Sequence, residues 1–544
     1  MARKKISALA LVLVMVLGIF LTGCSGGGSS STPTSTGGAS ASTPADNSTD
    51  STGGDTGTPV NKKDSIVVAV QYNINKLDPQ YPAAQWEWQA NMCIYDSLFH
   101  PPAFDYENLE NALCESYEIS DDMLEYTFHL RQGVKFHDGS DFTAEDVVFT
   151  IERAMASPYV GPNLLAFDTV TAEDDHTVKL VQKYTSPDTL KVLAEHYLGI
   201  VSKAAVTEYG DGAVEAVVGT GPYKLVSWTQ DAVELDTFED YYGELPEIKA
   251  VTYRPITDYT SAAIAMNSGE IDVLNYANPS DEQGFIEDDN FDTVVFVRDH
   301  SFGVTMNNQL APFNDINVRR AINHAIDRES LNMIVTDGYY DISAYVKSTP
   351  RALGYEKADS EGRITKYEYD LEKAKALLAE AGFDENNPLN CTYITPNTNL
   401  AQTLASAVQA ALASANINLN IEVMEAASWL DRISTGDFEM SYNDCGFANH
   451  RASLSYYFQF HSGTFYNREN TQLARVDELT ELGMAEMDEA TREEYYAELI
   501  EIVTDEAINM PGIRFRGVTI TTKGLVVPND MMVGITSIKD AYWK

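Results

Sequence analysis

The feature that most constrains the fold is an alternation of short β-branched runs with longer helical patterns, sustained from Asp64 to the C-terminus. Residues 65–70 (SIVVAV) predict a buried strand, whereas residues 371–381 repeat apolar side chains at helical spacing before Gly382. Strands and helices that alternate on this scale indicate α/β layers. About 480 residues are too many for one hydrophobic core, so we expect two or three domains.

The same patterns predict other elements along the chain. A hairpin is expected where residues 126–130 and 134–137 alternate at period two around Gln132-Gly133, followed by a helix from Thr143. Further predicted strands are 223–228, 271–274, 417–423 and 518–522, and further predicted helices are 260–268, 318–331 and 400–415.

The N-terminus carries an export signal. Basic residues 3–5 precede an apolar run over 6–21, which is shorter than the roughly 20 residues that span a bilayer. This anatomy is typical of a signal peptide. Residues 21–24 (LTGC) resemble a bacterial lipobox, which implies removal of 1–23 and lipidation of Cys24. The following tract, 24–63, predicts a flexible Ser/Thr/Gly-rich linker.

Composition excludes some partners and leaves others open. The formal net charge of −44 gives no electrostatic route to nucleic acid or anionic lipid, and it argues weakly against anionic ligands. The remaining cysteines are Cys93, Cys114, Cys391 and Cys445, which contain no CxxC pair, so a zinc site is not expected. Disulfides are permitted outside the cytoplasm, and the sequence leaves their pairing undecided.

Several motifs occur in order along the chain. The longest is residues 126–139 (YTFHLRQGVKFHDG) continued by 143–149 (TAEDVVF). Shorter ones follow at 219–224, 269–273, 307–322 and 369–382. Together they resemble the motifs of family 5 bacterial extracellular solute-binding proteins, which include the oligopeptide, dipeptide and nickel-type receptors of ABC importers. The resemblance covers nearly everything from Asp64 to Lys544.

The resemblance implies a two-lobe α/β fold of the periplasmic-binding-protein type, with an enlarged first lobe that closes over a cleft by a hinge. It places the first lobe at 64–300 and the second at 301–511, with 512–544 returning to the first. Gly303 and Gly512 are the expected hinge positions. Most of the motif residues, such as Asp138-Gly139 in a tight turn, are interpreted as structural.

Signatures of catalysis are missing from the sequence. It contains no HExxH, residues 219–224 lack the spacing of a phosphate-binding loop, and no GxGxxG follows a strand. His129 and His137 are interpreted as surface or turn residues of the hairpin. We therefore expect a binding protein without enzymatic activity, cofactor or metal.

The resemblance also suggests where a solute binds. In peptide-binding relatives an acidic residue of the second lobe holds the ligand's amino group, and an aromatic residue before it packs on the ligand. The matching positions here are Asn449 and Phe447, and the nearest carboxylate in the sequence is Asp444. Because an amide carries no charge, it cannot form a salt bridge with the ligand's ammonium group, so the usual amine contact is altered. The stretch 395–400 also lacks the Arg by which dipeptide receptors bind a carboxylate.

Further cleft candidates are Tyr72 and Asn73, which follow the first predicted strand, and Trp86. Loops at the carboxyl ends of strands are where open α/β sheets bind ligands. For Trp86, packing inside the lobe is an equally good interpretation.

The sequence thus predicts a monomeric, extracytoplasmic lipoprotein that captures a peptide-like solute and delivers it to an ABC permease. Three alternatives stay open. The solute is a non-peptide such as an oligosaccharide, the chain is a peptide-sensing receptor without transport, or it is a secreted hydrolase. Within the family, a nickel or haem receptor is also possible, although no His/Met cluster supports it.

Overall fold

The computed structural model describes residues 62–82, 86–276, 279–342, 347–530 and 534–544. The predicted signal peptide 1–23, Cys24 and nearly all of the linker 24–63 lie outside the described residues. None of the helices in the described ranges is long and apolar enough to cross a membrane.

Strands are distributed over the whole described chain. They are β1 Ser65–Val70, β2 Phe99–His100, β3 Glu110–Asn111, β4 Cys114–Ile119, β5 Glu125–Leu130, β6 Phe167–Asp174, β7 Thr177–Gln182, β8 Tyr223–Trp228, β9 Val233–Thr237, β10 Ala250–Pro255, β11 Val273–Leu274, β12 Phe291–Met306, β13 Leu389–Pro396, β14 Ile417–Met424, β15 Met440–Gly446, β16 Asn509–Thr522, β17 Leu525–Val526 and β18 Tyr542–Trp543.

Helices alternate with these strands. They are α1 Trp86–Ile94, α2 Ala144–Ala156, α3 Thr189–Leu193, α4 Lys203–Tyr209, α5 Tyr259–Ser268, α6 Pro279–Ile286, α7 Ile316–Ala325, α8 Arg328–Thr336, α9 Tyr355–Ser360, α10 Leu371–Glu380, α11 Asn399–Ala413, α12 Ala426–Thr435, α13 Ala452–Phe460, α14 Ala474–Ala485 and α15 Glu489–Asp505.

The main sheet has ten strands among the described residues, in the order β14-β13-β15-β12-β16-β11-β1-β10-β9-β8. The long strands β12 and β16 pair antiparallel and stand between the two halves of this sheet. A separate four-stranded sheet, β4-β5-β7-β6, is built from residues 114–182. This strand order shows that the chain crosses from one half of the molecule to the other along β12 and β16.

The buried side chains follow the same division. Two cores consist only of residues between Phe302 and Ile513. The other three contain residues up to Phe285 and from Val518 onward, which we call the first half. One of them also contains Leu454 and Met484 from the second half, the residues between Phe302 and Ile513. Each half of the molecule therefore has hydrophobic cores of its own.

Local sequence signals explain many element boundaries. The Asp146 carboxylate accepts a hydrogen bond from the Thr143 backbone N–H at 3.0 Å, so the predicted helix begins there with a reciprocal cap. The predicted helix over 260–268 is α5, and Gly269 ends it with a φ of +74°. Gly139 has a φ of +87°, as its predicted turn requires.

The predicted hairpin is wrong. Strand β5 pairs with β4 and β7, and residues 134–137 join no strand of that sheet. The period-two pattern of 134–137 has another cause, because Val134 and Phe136 turn into the core beneath the four-stranded sheet. The predicted helix 318–331 is also divided, because Asp327 caps a new helix by accepting from the Glu329 N–H.

His137 connects two of the motifs and is only partly exposed. Its Nε2 donates to the Gly221 carbonyl at 2.9 Å, and its Nδ1 accepts from the Gly219 N–H at 3.4 Å. A Cβ at Gly219 would lie 2.1 Å from the Ile94 carbonyl oxygen, so this glycine is needed for close approach to α1. The motif residues here build the fold.

The four described cysteines are free and buried. Burial raises the pKa of Cys93, Cys114 and Cys391 to about 12 and that of Cys445 to about 11. They therefore act as small apolar core residues with unreactive thiols.

Candidate ligand-binding site

The candidate site lies where β12 and β16 cross between the two halves of the sheet. Their register shifts between Val297 and Ser301 and again between Phe302 and Val304. Gly303 and Gly512 face each other at this point, and a Cβ on Gly512 would lie 1.5 Å from the Phe302 carbonyl oxygen. The close approach of the two backbones thus depends on glycine.

Asn449, the position of the expected amine contact, is bound at both ends of its amide. Its Nδ2 donates to the Asp299 carboxylate at 2.6 Å, and its Oδ1 accepts from the Thr349 hydroxyl at 3.3 Å. Asp299 is buried and also pairs with Arg351 at 2.7 Å and Arg514 at 3.2 Å. A carboxylate does lie beside Asn449, but two guanidinium groups neutralise it.

Phe447 has no exposed surface. Its ring packs edge-on against Tyr456, with centroids 4.8 Å apart, and its N–H donates to the Asp299 carbonyl at 2.7 Å. In this conformation the side chain therefore has a packing function. Its contact with a solute stays a prediction.

Asp444 presents a carboxylate near the end of β15, with 37 % of its side chain exposed. The Tyr442 hydroxyl donates to it at 3.4 Å, and Arg468 Nη1 lies 3.7 Å away. Arg468 is itself buried and donates to the Asn443 side chain and the Asp444 carbonyl. The neighbouring side chains thus hold the Asp444 carboxylate in place while part of it stays accessible, which suits binding of an amine.

Beside Asp444, a partly exposed group of aromatic and basic side chains lines the crossing strands. The Phe515 ring centroid lies 5.0 Å from that of His300, 5.7 Å from that of Tyr340 and 5.8 Å from the Arg298 guanidinium carbon. Burial lowers the pKa of His300 to about 4 and that of Arg298 to about 10. At neutral pH the group thus offers a neutral imidazole and a guanidinium cation beside flat apolar surface.

Tyr72, Asn73 and Trp86 form a separate group after β1, in the other half of the sheet. The rings of Tyr72 and Trp86 are 5.6 Å apart and partly exposed, and the Asn73 carbonyl accepts from the Asn75 side chain. Partial burial and the neighbouring Tyr259 raise the pKa of Tyr72. Their contact with a solute stays a prediction.

Sequence reasoning missed Asp299, Arg298, His300, Tyr340 and Phe515. Asp299 stands 150 positions from Asn449, and no motif joins them. The only signal was a departure from an apolar strand pattern, since residues 298–300 (RDH) interrupt the run 294–304. Within the described residues, no group of three or more His, Cys, Asp or Glu side chains could hold a metal ion.

Comparison with protein-family models gives a match over residues 108–467 to the bacterial extracellular solute-binding proteins, family 5 middle region. The chain is 32 % identical over 369 residues to a glutathione-binding protein GsiB of Escherichia coli O1:K1 / APEC, covering 66 % of this chain and 70 % of the relative. A GsiB of Pectobacterium atrosepticum is 31 % identical over 378 residues, covering 68 % and 71 %.

Solved structures agree with these matches. DppA of Helicobacter pylori, in complex with the peptide STSA, has a TM-score of 0.72 at 26 % identity and covers 88 % of this chain and 98 % of its own. NikA of Brucella suis, in complex with Fe(III)-EDTA, shares the fold with a TM-score of 0.78 at 21 % identity, covering 88 % and 100 %. The predicted α/β fold of the periplasmic-binding-protein type is confirmed. The chain belongs to family 5 of the bacterial extracellular solute-binding proteins and binds a solute for the permease of an ABC transporter.

Proposed function

We propose that the solute is peptide-like and that it binds at the crossing strands, between a first lobe of residues 64–300 with 512–544 and a second lobe of 301–511. The separate hydrophobic cores of the two halves support this division. The observation that carries the choice of solute is the similarity to glutathione-binding relatives over two thirds of the chain. Glutathione is itself a peptide with one amino group and two carboxylates.

The polar groups at the crossing strands match a solute of this kind. The half-exposed Asp444 would receive an amino group by charge-assisted hydrogen bonds. Arg298 and His300 would serve carboxylate and amide oxygens, while Phe515 and Tyr340 would pack against apolar parts. The Asn449 amide would act indirectly, by holding the Asp299 cluster in place.

Binding would proceed by lobe closure without chemical conversion of the solute. The adjoining glycines Gly303 and Gly512 would take up the dihedral changes at the two crossing strands. Closure would enclose the solute and create the surface that the permease recognises. The protein would work as a monomer, without cofactor or metal.

Lipidation of Cys24 would keep the receptor on the outer face of the cytoplasmic membrane. The Ser/Thr/Gly-rich linker has a random-coil span of roughly 35 Å, enough to hold the folded body away from the lipid surface. A lipid anchor and a linker of this length would let the closed protein meet a permease in the same membrane.

The test is a thermal-shift screen of the purified chain. We expect glutathione or a short-peptide mixture to raise the melting temperature, because a ligand bound only to the folded state stabilises it by mass action. Neutral oligosaccharides and Ni²⁺ chelates are the comparison ligands. A shift with oligosaccharides and none with any peptide would overturn the proposal.

A further inference from the structure

The buried carboxylate of Glu195, in the first half of the molecule, contacts the turn of His450 and Arg451 that follows Asn449. Glu195 is 3 % exposed, and its Oε1 lies 2.7 Å from His450 Nε2 and 3.1 Å from Arg451 Nε. Burial opposes ionisation, but the charge of Arg451 and the hydrogen bond with His450 outweigh it and lower the pKa of Glu195 to about 2. The carboxylate is therefore ionised at physiological pH and attracts the turn across the molecule.

Other first-half residues surround the same turn. The ring of Tyr106 stacks on His450, with centroids 3.8 Å apart and planes 11° from parallel, and its hydroxyl donates to Glu195 Oε2 at 3.3 Å. Arg451 Nη1 donates to the Asn163 side-chain oxygen, and it lies 3.3 Å from the Tyr197 hydroxyl. The two side chains of the turn are thus enclosed by residues from the other half.

A second set of contacts continues this interface. The Leu454 N–H donates to the Asp188 carboxylate at 3.3 Å, and the Leu454 and Met484 side chains are buried in a core of the first half. The Thr185 hydroxyl donates to the Ala485 carbonyl at 2.6 Å. None of these contacts lies on the crossing strands, so rotation about β12 and β16 would break them.

We propose that Glu195 is the positioning residue of an interlobe latch, made with His450 and Arg451, that sets the lifetime of the closed state. The latch rests on the proposed lobe closure. The latch adjoins the candidate site along the chain, because Asn449, which binds Asp299 on β12, immediately precedes His450. Contacts made only in the closed state lower its free energy and shift the population toward it.

Loss of Glu195 is expected to have a large effect because both partners are enclosed. Removing one member of a buried ion pair leaves an uncompensated buried charge, which costs more than the loss of an exposed pair. In Glu195→Gln, the Arg451 guanidinium can recover its solvation only by moving away from the first half. The open state should therefore be favoured; it would remove Leu454 and Met484 from one core of the first half and leave the other cores in place.

The test is amide hydrogen exchange of the full ligand-free chain, wild type against Glu195→Gln. We expect exchange in the segments 447–455 and 186–199, including the Leu454 amide, to rise by about tenfold or more. Amides between β13 and β14 should not change. Glu145→Gln is the matched control, because Glu145 pairs with Lys203 at 2.9 Å on the exposed surface of the first half; it should leave all segments unchanged.

The milder Arg451→Lys keeps the charge and should give a smaller increase in the same two segments. Unchanged exchange there in both variants, or a uniform rise through every core, would overturn the latch.

With glutathione as probe, the variants should mainly raise the dissociation rate and alter the association rate little. If glutathione and short peptides fail to bind the wild type, the proposed solute is wrong, whereas the exchange result still decides on the latch.

Discussion

At the scale of single residues, belonging to a family motif and supporting the fold are separate properties, and His137 has both. It belongs to the longest family motif, yet both ring nitrogens are used to hold the turn at Gly219 and Gly221. Burial lowers the pKa of His137 to about 4, so the ring is neutral in the folded state at pH 7. From the sequence, His137 is interpreted as a surface or turn residue. The role in joining two motifs comes from a contact 82 positions away.

His137 should make folding stability depend on pH. Its folded pKa lies below the ordinary value of about 6.5, so the unfolded chain binds more protons between the two values, and stability falls as pH drops from about 6.5 to 4. Glutamine offers a donor and an acceptor but does not titrate. We therefore expect the free energy of unfolding of His137→Gln to fall by about 1–3 kcal/mol less than that of wild type over this pH range.

Urea unfolding at pH 7.0 and pH 5.0 measures this difference. His129→Gln is the matched control, since this ring lies 4.0 Å from exposed Glu118 on the surface of the four-stranded sheet. Parallel pH profiles for wild type and His137→Gln would contradict a neutral His137 ring in the folded state.

At the scale of elements, β12 and β16 decide how the two halves are joined. The family resemblance implies hinges at Gly303 and Gly512, and their hinge role stays a prediction; in the structure the two glycines pack against each other where β12 and β16 pair. Helix ends with a local capping signal, as at Thr143 and Gly269, could be predicted well. The false hairpin and the undivided helix 318–331 arose where a local pattern was overridden by long-range sheet pairing or by a cap at Asp327.

Gly512→Ala should disrupt the crossing. The new Cβ would lie 1.5 Å from the Phe302 carbonyl oxygen, so β12 and β16 must separate locally. We expect a loss of about 1–3 kcal/mol in unfolding free energy, of the size seen when groups are forced into a packed interior.

Gly284→Ala is the control for this change, because a Cβ there meets no atom within 4 Å in α6. It should be neutral or slightly stabilising, as alanine favours helix. Denaturant unfolding compares the two variants. Equal stabilities would contradict the need for glycine at the crossing.

At the scale of the whole molecule, net charge was a poor guide to the candidate site. The chain carries a formal charge of −44, which argues weakly against anionic ligands. Arg351 and Arg514 nevertheless pair with Asp299 at the crossing strands, and the Arg298 guanidinium lies over the nearby Phe515 ring. A total charge describes the surface on average, and only the folded chain determines where the few cations collect.

Within the candidate site, the segment 438–452 could be selected from the sequence, because motifs run along the chain; its role in binding stays a prediction. Asn449 and Asp444 could be selected from residues 438–452, whereas their partners come from β12, β16 and other distant segments. Pairings of this kind depend on tertiary packing, which leaves no periodic or spacing signal in one sequence. Glu195 and the latch turn, 255 positions apart, are a further example.

The most direct test of peptide capture at the crossing strands is calorimetric titration of wild type and Asp444→Asn with a short peptide that shifts the melting temperature. We predict binding of one peptide per chain, and about 10- to 100-fold weaker binding to the variant, because a charge-assisted hydrogen bond is worth about 1.5–3 kcal/mol. Asp168→Asn, an exposed change on β6, should bind like wild type. Equal affinity of wild type and Asp444→Asn, or no peptide binding at all, would contradict the account.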